Sequence, residues 1–186
     1  MGGNAALIYA GTEAERVTAL VTIEGIGPPG RDPMTAPESF SAWLEDLERV
    51  EHRQGRGTTL DEATNRLRVR FPAFSEEVAR HMAEFGTREH AGKRFWKFDP
   101  LHQTRSPQPY YLAQGQAFWR RIVCPVLYVE GTASFITLPS PDVAERLAVL
   151  GANRATIEGA GHHPHLERPE ELSLAILKFL KANGLS

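Results

Sequence analysis

The sequence has a single cysteine, Cys124, among its 186 residues. One thiol excludes an internal disulfide framework and fits a reducing, cytoplasmic compartment. No apolar run approaches the ~18 residues that a membrane span needs, so a membrane partner of that kind is not expected. A surplus of one charge is missing too: 21 Lys and Arg stand against 23 Asp and Glu, a formal net charge of -2. That balance argues against a dedicated nucleic-acid or anionic-membrane binder. The opening Met1-Gly2-Gly3-Asn4 carries no leader-like pattern. Repeats and low-complexity segments are also lacking. What is present is a 41% hydrophobic, 24% charged chain. Such a chain can bury a real core, and its length suits one domain of ordinary size.

The patterning predicts a short buried helix from about Gly3 to Ala14, where Ala and Leu are frequent. Val17 to Ile23 is β-branched and apolar and reads as a buried strand, followed at once by Glu24 and a Gly/Pro-rich stop. From residue 31 to 121 the character changes: charges are dense and apolar residues recur at helical spacing, as in Phe40, Trp43, Leu44 and Leu47. Thr59 with Glu62 three residues on is a capping-box pattern. A second strand is expected at Cys124 to Val129, a helix at Pro141 to Leu150, a strand at Asn153 to Ile157, and a final helix at Pro169 to Asn183. This order predicts an α/β fold: a short parallel sheet of about three strands flanked by helices, built from residues 1–30 and 122–186, with residues 31–121 as a helical insertion.

Sites in open parallel sheets lie at the carboxyl ends of the strands. His162 follows the small-residue turn Gly159-Ala160-Gly161 after a predicted strand. A glycine turn lets the backbone carry an imidazole into a site, as a general base requires. Three histidines, His162, His163 and His165, fall within four positions. No Cys or carboxylate spacing typical of zinc accompanies them, so no metal is expected. Glu24 ends an apolar strand. It reads either as a solvated strand-end carboxylate or as an acid that orients a histidine tautomer.

Gly159-Ala160-Gly161-His162-x-x-His165-x-Glu167-x-Pro169, followed by a helix, resembles the histidine loop of the α/β-hydrolases. Cys124 to Gly131 is similar to the strand before the usual acid loop of that family. Met1-Gly2-Gly3-Asn4-Ala5 resembles the run of residues after the serine in its nucleophile elbow, Gly-x-Ser-x-Gly. Val21 to Pro29 resembles the next strand and its exit. The closest flavour is the serine-hydrolase-like esterases near the haloalkane dehalogenase and epoxide hydrolase groups. The resemblance implies that His162 is the general base and that residues 31–121 are a cap. The usual acid position falls near Ser134 or Phe135, neither of them a carboxylate. Some members of the superfamily place a Glu at the end of the earlier strand, which implies that Glu24 is the acid here. Asp142 is the alternative, although it reads better as a helix-terminal charge.

The same resemblance places the nucleophile immediately before Met1, outside the chain, with the preceding strands and one oxyanion loop. The remaining oxyanion donor would be the N–H of Met1. The expectation is therefore a truncated α/β-hydrolase, inactive or weakly active alone, whose intact relative hydrolyses a small-molecule ester. Dehalogenase-like relatives carry Asp followed by Trp, so Met1 favours serine and ester chemistry, with an epoxide hydrolase left open. No organic cofactor is implied. The aromatic residues Trp96, Phe98, Tyr110 and Trp119 could line an apolar pocket or form core. The competing reading is a non-catalytic assembly module, a homo-oligomer or strand swap through an exposed sheet edge.

Overall fold

The computed structural model describes residues 1–53, 57–108, 110–135 and 140–185. The chain divides into two compact units, one of Met1–Gly30 with Tyr110–Ser186 and one of Arg31–Pro109. The second boundary therefore falls at 109/110 and not at 121. The reason is α5 (Leu112–Trp119), which packs against α1 (Gly2–Thr12) and so belongs to the first unit.

The first unit is built on three parallel strands in the order β1 (Leu20–Ile23), β4 (Val126–Gly131), β5 (Asn153–Ile157). Leu20 is in register with Val126 and Ile23 with Val129; Leu127 faces Asn153 and Gly131 faces Ile157. The central strand β4 reads Val-Leu-Tyr-Val, and all four residues are buried. Successive side chains of a strand point to opposite faces, and here each face is covered. Val126 and Tyr128 join Leu7, Ala10, Trp119 and Val143 in one core; Leu127 and Val129 join Ile157, Leu172 and Phe179 in another. The first core is closed by α1, α5 and α6 (Ser140–Leu150), the second by α8 (Pro169–Ala182). A continuous apolar run is what a parallel strand buried on both faces requires. Full burial of one such side chain contributes about 1.5–3 kcal/mol.

Among the described residues of the second unit the α-helices are α2 (Ala36–Arg53), α3 (Leu60–Arg70) and α4 (Glu76–Gly86). The capping box is formed: Glu62 N–H donates to Thr59 Oγ1 at 3.2 Å and Thr59 N–H donates to Glu62 Oε2 at 3.0 Å. The Thr59 amide, and next the Thr58 hydroxyl that donates to Glu62 Oε2 at 2.8 Å, lower the Glu62 carboxyl from its usual value. Helices α3 and α4 pack through Ala63, Ala79 and Ala83, all fully buried, so their backbones approach closely. The unit is not purely helical. Thr87–His90 (β2) and Lys93–Trp96 (β3) form an antiparallel hairpin. Its turn residues Ala91 and Gly92 both have positive φ, 49° and 73°. This is the turn class whose twist matches paired strands. The sequence pattern conceals it because neither strand alternates apolar and polar residues.

Candidate active site

Three strand ends converge where the sheet is widest in loops. Glu24 leaves β1, Gly131 ends β4, and Gly159 to His162 come after β5. Glu24 keeps its backbone in the ladder, donating N–H to Val129 O at 2.8 Å, yet its φ is +56°. A non-glycine residue in the left-handed region is uncommon and costs of order 1–3 kcal/mol, and such residues cluster at active sites. The conformation turns the Glu24 carboxylate toward β4. Gly131 N–H donates to Glu24 Oε1 at 2.6 Å and Ser134 Oγ donates to Oε2 at 2.5 Å. The acid's side chain is 1% exposed. A carboxylate so desolvated needs charge-assisted hydrogen bonds, and these two supply them.

His162 Nδ1 lies 3.4 Å from the same Oε2. That separation is long for a hydrogen bond and close enough for a direct electrostatic contact. The His162 side chain is 25% exposed, so it is reachable from solvent while its partner is not. The Phe135 ring lies 5.2 Å from the His162 ring and the His163 ring 4.8 Å from it, centroid to centroid. Burial pushes the His163 imidazole below its ordinary value, with His162 and His165 adding to the shift. Among the described residues no three His, Cys, Asp or Glu side chains are grouped as metal ligands.

The loop after β4 ties the two halves together. Ala133 N–H donates to Ala160 O at 2.9 Å, and Gly159 N–H donates to Thr132 Oγ1 at 2.8 Å. Gly131 has no room for a side chain, since a Cβ there would overlap the Ala160 carbonyl. Thus residues 131–135 grip Glu24 on one side and the histidine loop on the other. At the start of α1, Gly3 meets Gly25 so closely that a Cβ on Gly3 would lie 2.7 Å from Gly25 Cα. This end of the helix, with Met1 at its N-cap, therefore abuts the residue after the acid.

The structure brings Glu24 and His162 together and sets Met1, 88% exposed, at the head of α1. Tyr110 is half-buried, its hydroxyl 3.5 Å from Asn4 Oδ1. Trp119 is buried in the first core, in one cluster with Leu7. Trp96 and Phe98 belong to the second unit and stack at 5.7 Å. Asp142 sits in the first turn of α6. The parts played by Gly131, Ala133 and Ser134 are not legible in the sequence. There, position 134 is only a place where a carboxylate is expected; in the fold its hydroxyl donates to Glu24.

A parallel sheet covered by helices on both faces, with Glu24 and His162 beyond the ends of the two strands that flank β4, is the arrangement of an α/β-hydrolase core. The model of the Alpha/beta hydrolase family matches residues 1–175, and the chain belongs to that family. A hypothetical protein of Pseudomonas aeruginosa PAO1 superposes with a TM-score of 0.79 at 25% identity, over 97% of this chain and 63% of that one. The thioesterase domain from the curacin biosynthetic pathway matches with a TM-score of 0.73 at 23% identity, over 94% of this chain and 62% of that domain. The M. tuberculosis esterase Rv0045c matches with a TM-score of 0.72 at 17% identity, over 96% and 59%. The chain thus spans less than two thirds of each of these structures. No curated protein matches it. Among the described residues no helix is long and apolar enough to cross a membrane.

Proposed function

We propose that this chain supplies the acid and base of a serine-hydrolase reaction on a small carboxylic ester. His162 takes the proton from an attacking hydroxyl and returns it to the leaving alcohol. Glu24 accepts from Nδ1–H, which fixes the tautomer and leaves Nε2 as the base. Glu24 does not need to take the proton; its carboxylate, held by two other hydrogen bonds, lies where it stabilises the imidazolium. The nucleophile and one oxyanion donor come from polypeptide N-terminal to Met1, and the Met1 N–H is the second donor. The second unit takes the part of the family's cap insertion. The observation that carries this reading is the 3.4 Å approach of His162 Nδ1 to a carboxylate held by two further hydrogen bonds.

The test has two parts. The coding sequence just upstream of Met1 is expected to encode an in-frame Gly-x-Ser. The chain carrying that extension is expected to hydrolyse p-nitrophenyl acetate, and the chain alone to do so little or not at all. His162→Ala should then cost on the order of 10⁶-fold in kcat and Glu24→Gln ~10⁴-fold, by analogy with triad deletions. A rate that survives His162→Ala refutes the assignment. A second reading, association through the sheet edge, is supported by β1 standing at the end of the order β1-β4-β5 with an apolar Leu-Val-Thr-Ile sequence. Light scattering that finds only monomer at high concentration removes it.

A further inference from the structure

We infer that Glu167 is a positioning residue that fixes the backbone on both sides of His162; this rests on the reading of His162 as the base. The carboxylate of Glu167, at the end of the short helix α7 (Pro164–Glu167), accepts two amide hydrogens. Gly161 N–H donates to Oε2 in a short bond, and His163 N–H donates to Oε1 at 3.3 Å. These two amides bracket His162. A carboxylate that only closed the first turn of α7 would need the second bond alone. The first reaches back past His162 to the residue before it, and this makes the carboxylate a brace for the catalytic loop.

The geometry is specific to small residues at 161. A Cβ on Gly161 would stand 3.0 Å and 3.1 Å from the two oxygens of Glu167, inside ordinary contact distance. Further back, Ala160 O is held by Ala133 N–H. The backbone leading into His162 is therefore tied at 160 and 161, and the backbone leaving it at 163. With both flanks fixed, the ring has only its own side-chain torsions left. Nδ1 then meets Glu24 without a search over backbone conformations, which is the preorganisation that general-base catalysis depends on.

The experiment uses the 186-residue chain, labelled with ¹⁵N, and needs no turnover. Two signals are read: hydrogen exchange of the Gly161 and His163 amides, and the Nδ1–H resonance of His162. Glu167→Ala is expected to speed exchange at both amides by about tenfold or more, the loss of a charge-assisted bond, and to broaden or abolish the His162 Nδ1–H signal. Amides of β4 and β5 should keep their rates. Glu167→Gln retains one acceptor oxygen and should give an intermediate result. Gly161→Ala, which presses on the same carboxylate, should weaken the His162 signal with residue 167 intact. Faster amides with an unchanged His162 signal would reduce Glu167 to a structural cap and overturn the inference, as would amides that do not respond. If Glu167→Ala loses the dispersed spectrum of a folded protein, Glu167→Gln decides by the same two signals. Glu24→Gln separates the two readings: a His162 Nδ1–H signal indifferent to it refutes the acid–base pair itself, whatever Glu167 does.

Discussion

Truncation of Glu24 measures directly what its buried carboxylate contributes to stability. In Glu24→Ala the Gly131 amide, which donated at 2.6 Å, loses its acceptor in a place from which water is excluded. An orphaned buried donor costs about 1–3 kcal/mol. Ser134 also loses a charge-assisted bond, but it is half-buried and its hydroxyl can turn to solvent, so its share is smaller, about 1 kcal/mol. Removing the charge returns little, because its two charge-assisted bonds already offset its burial. The expected net loss is about 3 kcal/mol. Glu24→Gln keeps the shape: its carbonyl can still accept from Gly131, and its amide can donate to the Ser134 oxygen. That exchanges two charge-assisted bonds for neutral ones and should cost about 1 kcal/mol. For a chain of this size 1 kcal/mol moves Tm by about 2–4 °C, so the alanine variant should melt roughly 6–12 °C below wild type and the glutamine variant roughly 2–4 °C below. Circular dichroism melts and urea titrations with an unchanged m-value provide the assay. Where the two units unfold separately, only the transition of the unit carrying the sheet should move. Adding Ser134→Ala to the wild type and to Glu24→Ala closes a double-mutant cycle. Ser134→Ala should destabilise the chain more while the Glu24 carboxylate is present than after it is removed. If Glu24→Ala is as stable as Glu24→Gln, the carboxylate is not satisfied as described and the reasoning fails.

Two further outcomes concern His163 and Gly11. His163 is held below its ordinary value by burial, so the unfolded chain binds a proton more readily than the folded one. Its contribution to stability is whole above a pH of about 6.5 and is lost as the pH falls through the lowered folded value. His163→Gln should flatten the pH dependence of the urea midpoint between about pH 5 and 7, and a slope equal to wild type would contradict this. Gly11→Ala should separate α1 from α5, because a Cβ at position 11 overlaps the backbone carbonyl of Phe118. Overpacking of this kind costs about 1–3 kcal/mol, and a wild-type denaturation midpoint would show that the helices can yield.

Much of the fold is legible in the sequence because the relevant signals are local. β4 announces itself as a short apolar run between Pro125 and Gly131, the capping box as Thr59 and Glu62, and the final helix by its apolar periodicity. The hairpin of residues 87–96 escapes because Thr-Arg-Glu-His and Lys-Arg-Phe-Trp lack alternation; Gly92 is its one usable sign. The boundary at 109/110 escapes because only packing of α5 on α1 defines it. His162 and Glu24 stand out by their strand-end positions. Their partners do not, for reasons of distance along the chain. Ser134 meets Glu24 across 110 residues, and the meeting depends on the register that sets Ile23 beside Val129. Arg146 is a similar case. It reads as a surface residue of α6, but it is 1% exposed and its guanidinium donates to the carbonyls of Ile26, Gly27 and Pro28 just beyond the acid.

The short segment after β4 has a consequence for how the site comes apart. Gly131 and Ser134 hold Glu24, while Thr132 and Ala133 hold the turn that carries His162. A fluctuation that lifts this segment from one partner strains its bonds to the other. Glu24 and His162 are therefore expected to open as one cooperative unit, with a single free energy of exposure shared with the four residues between them in space. A population in which only one member of the pair is displaced should be rarer than one in which both are. The site behaves as a single latch, closed or open, rather than as two residues that wander independently.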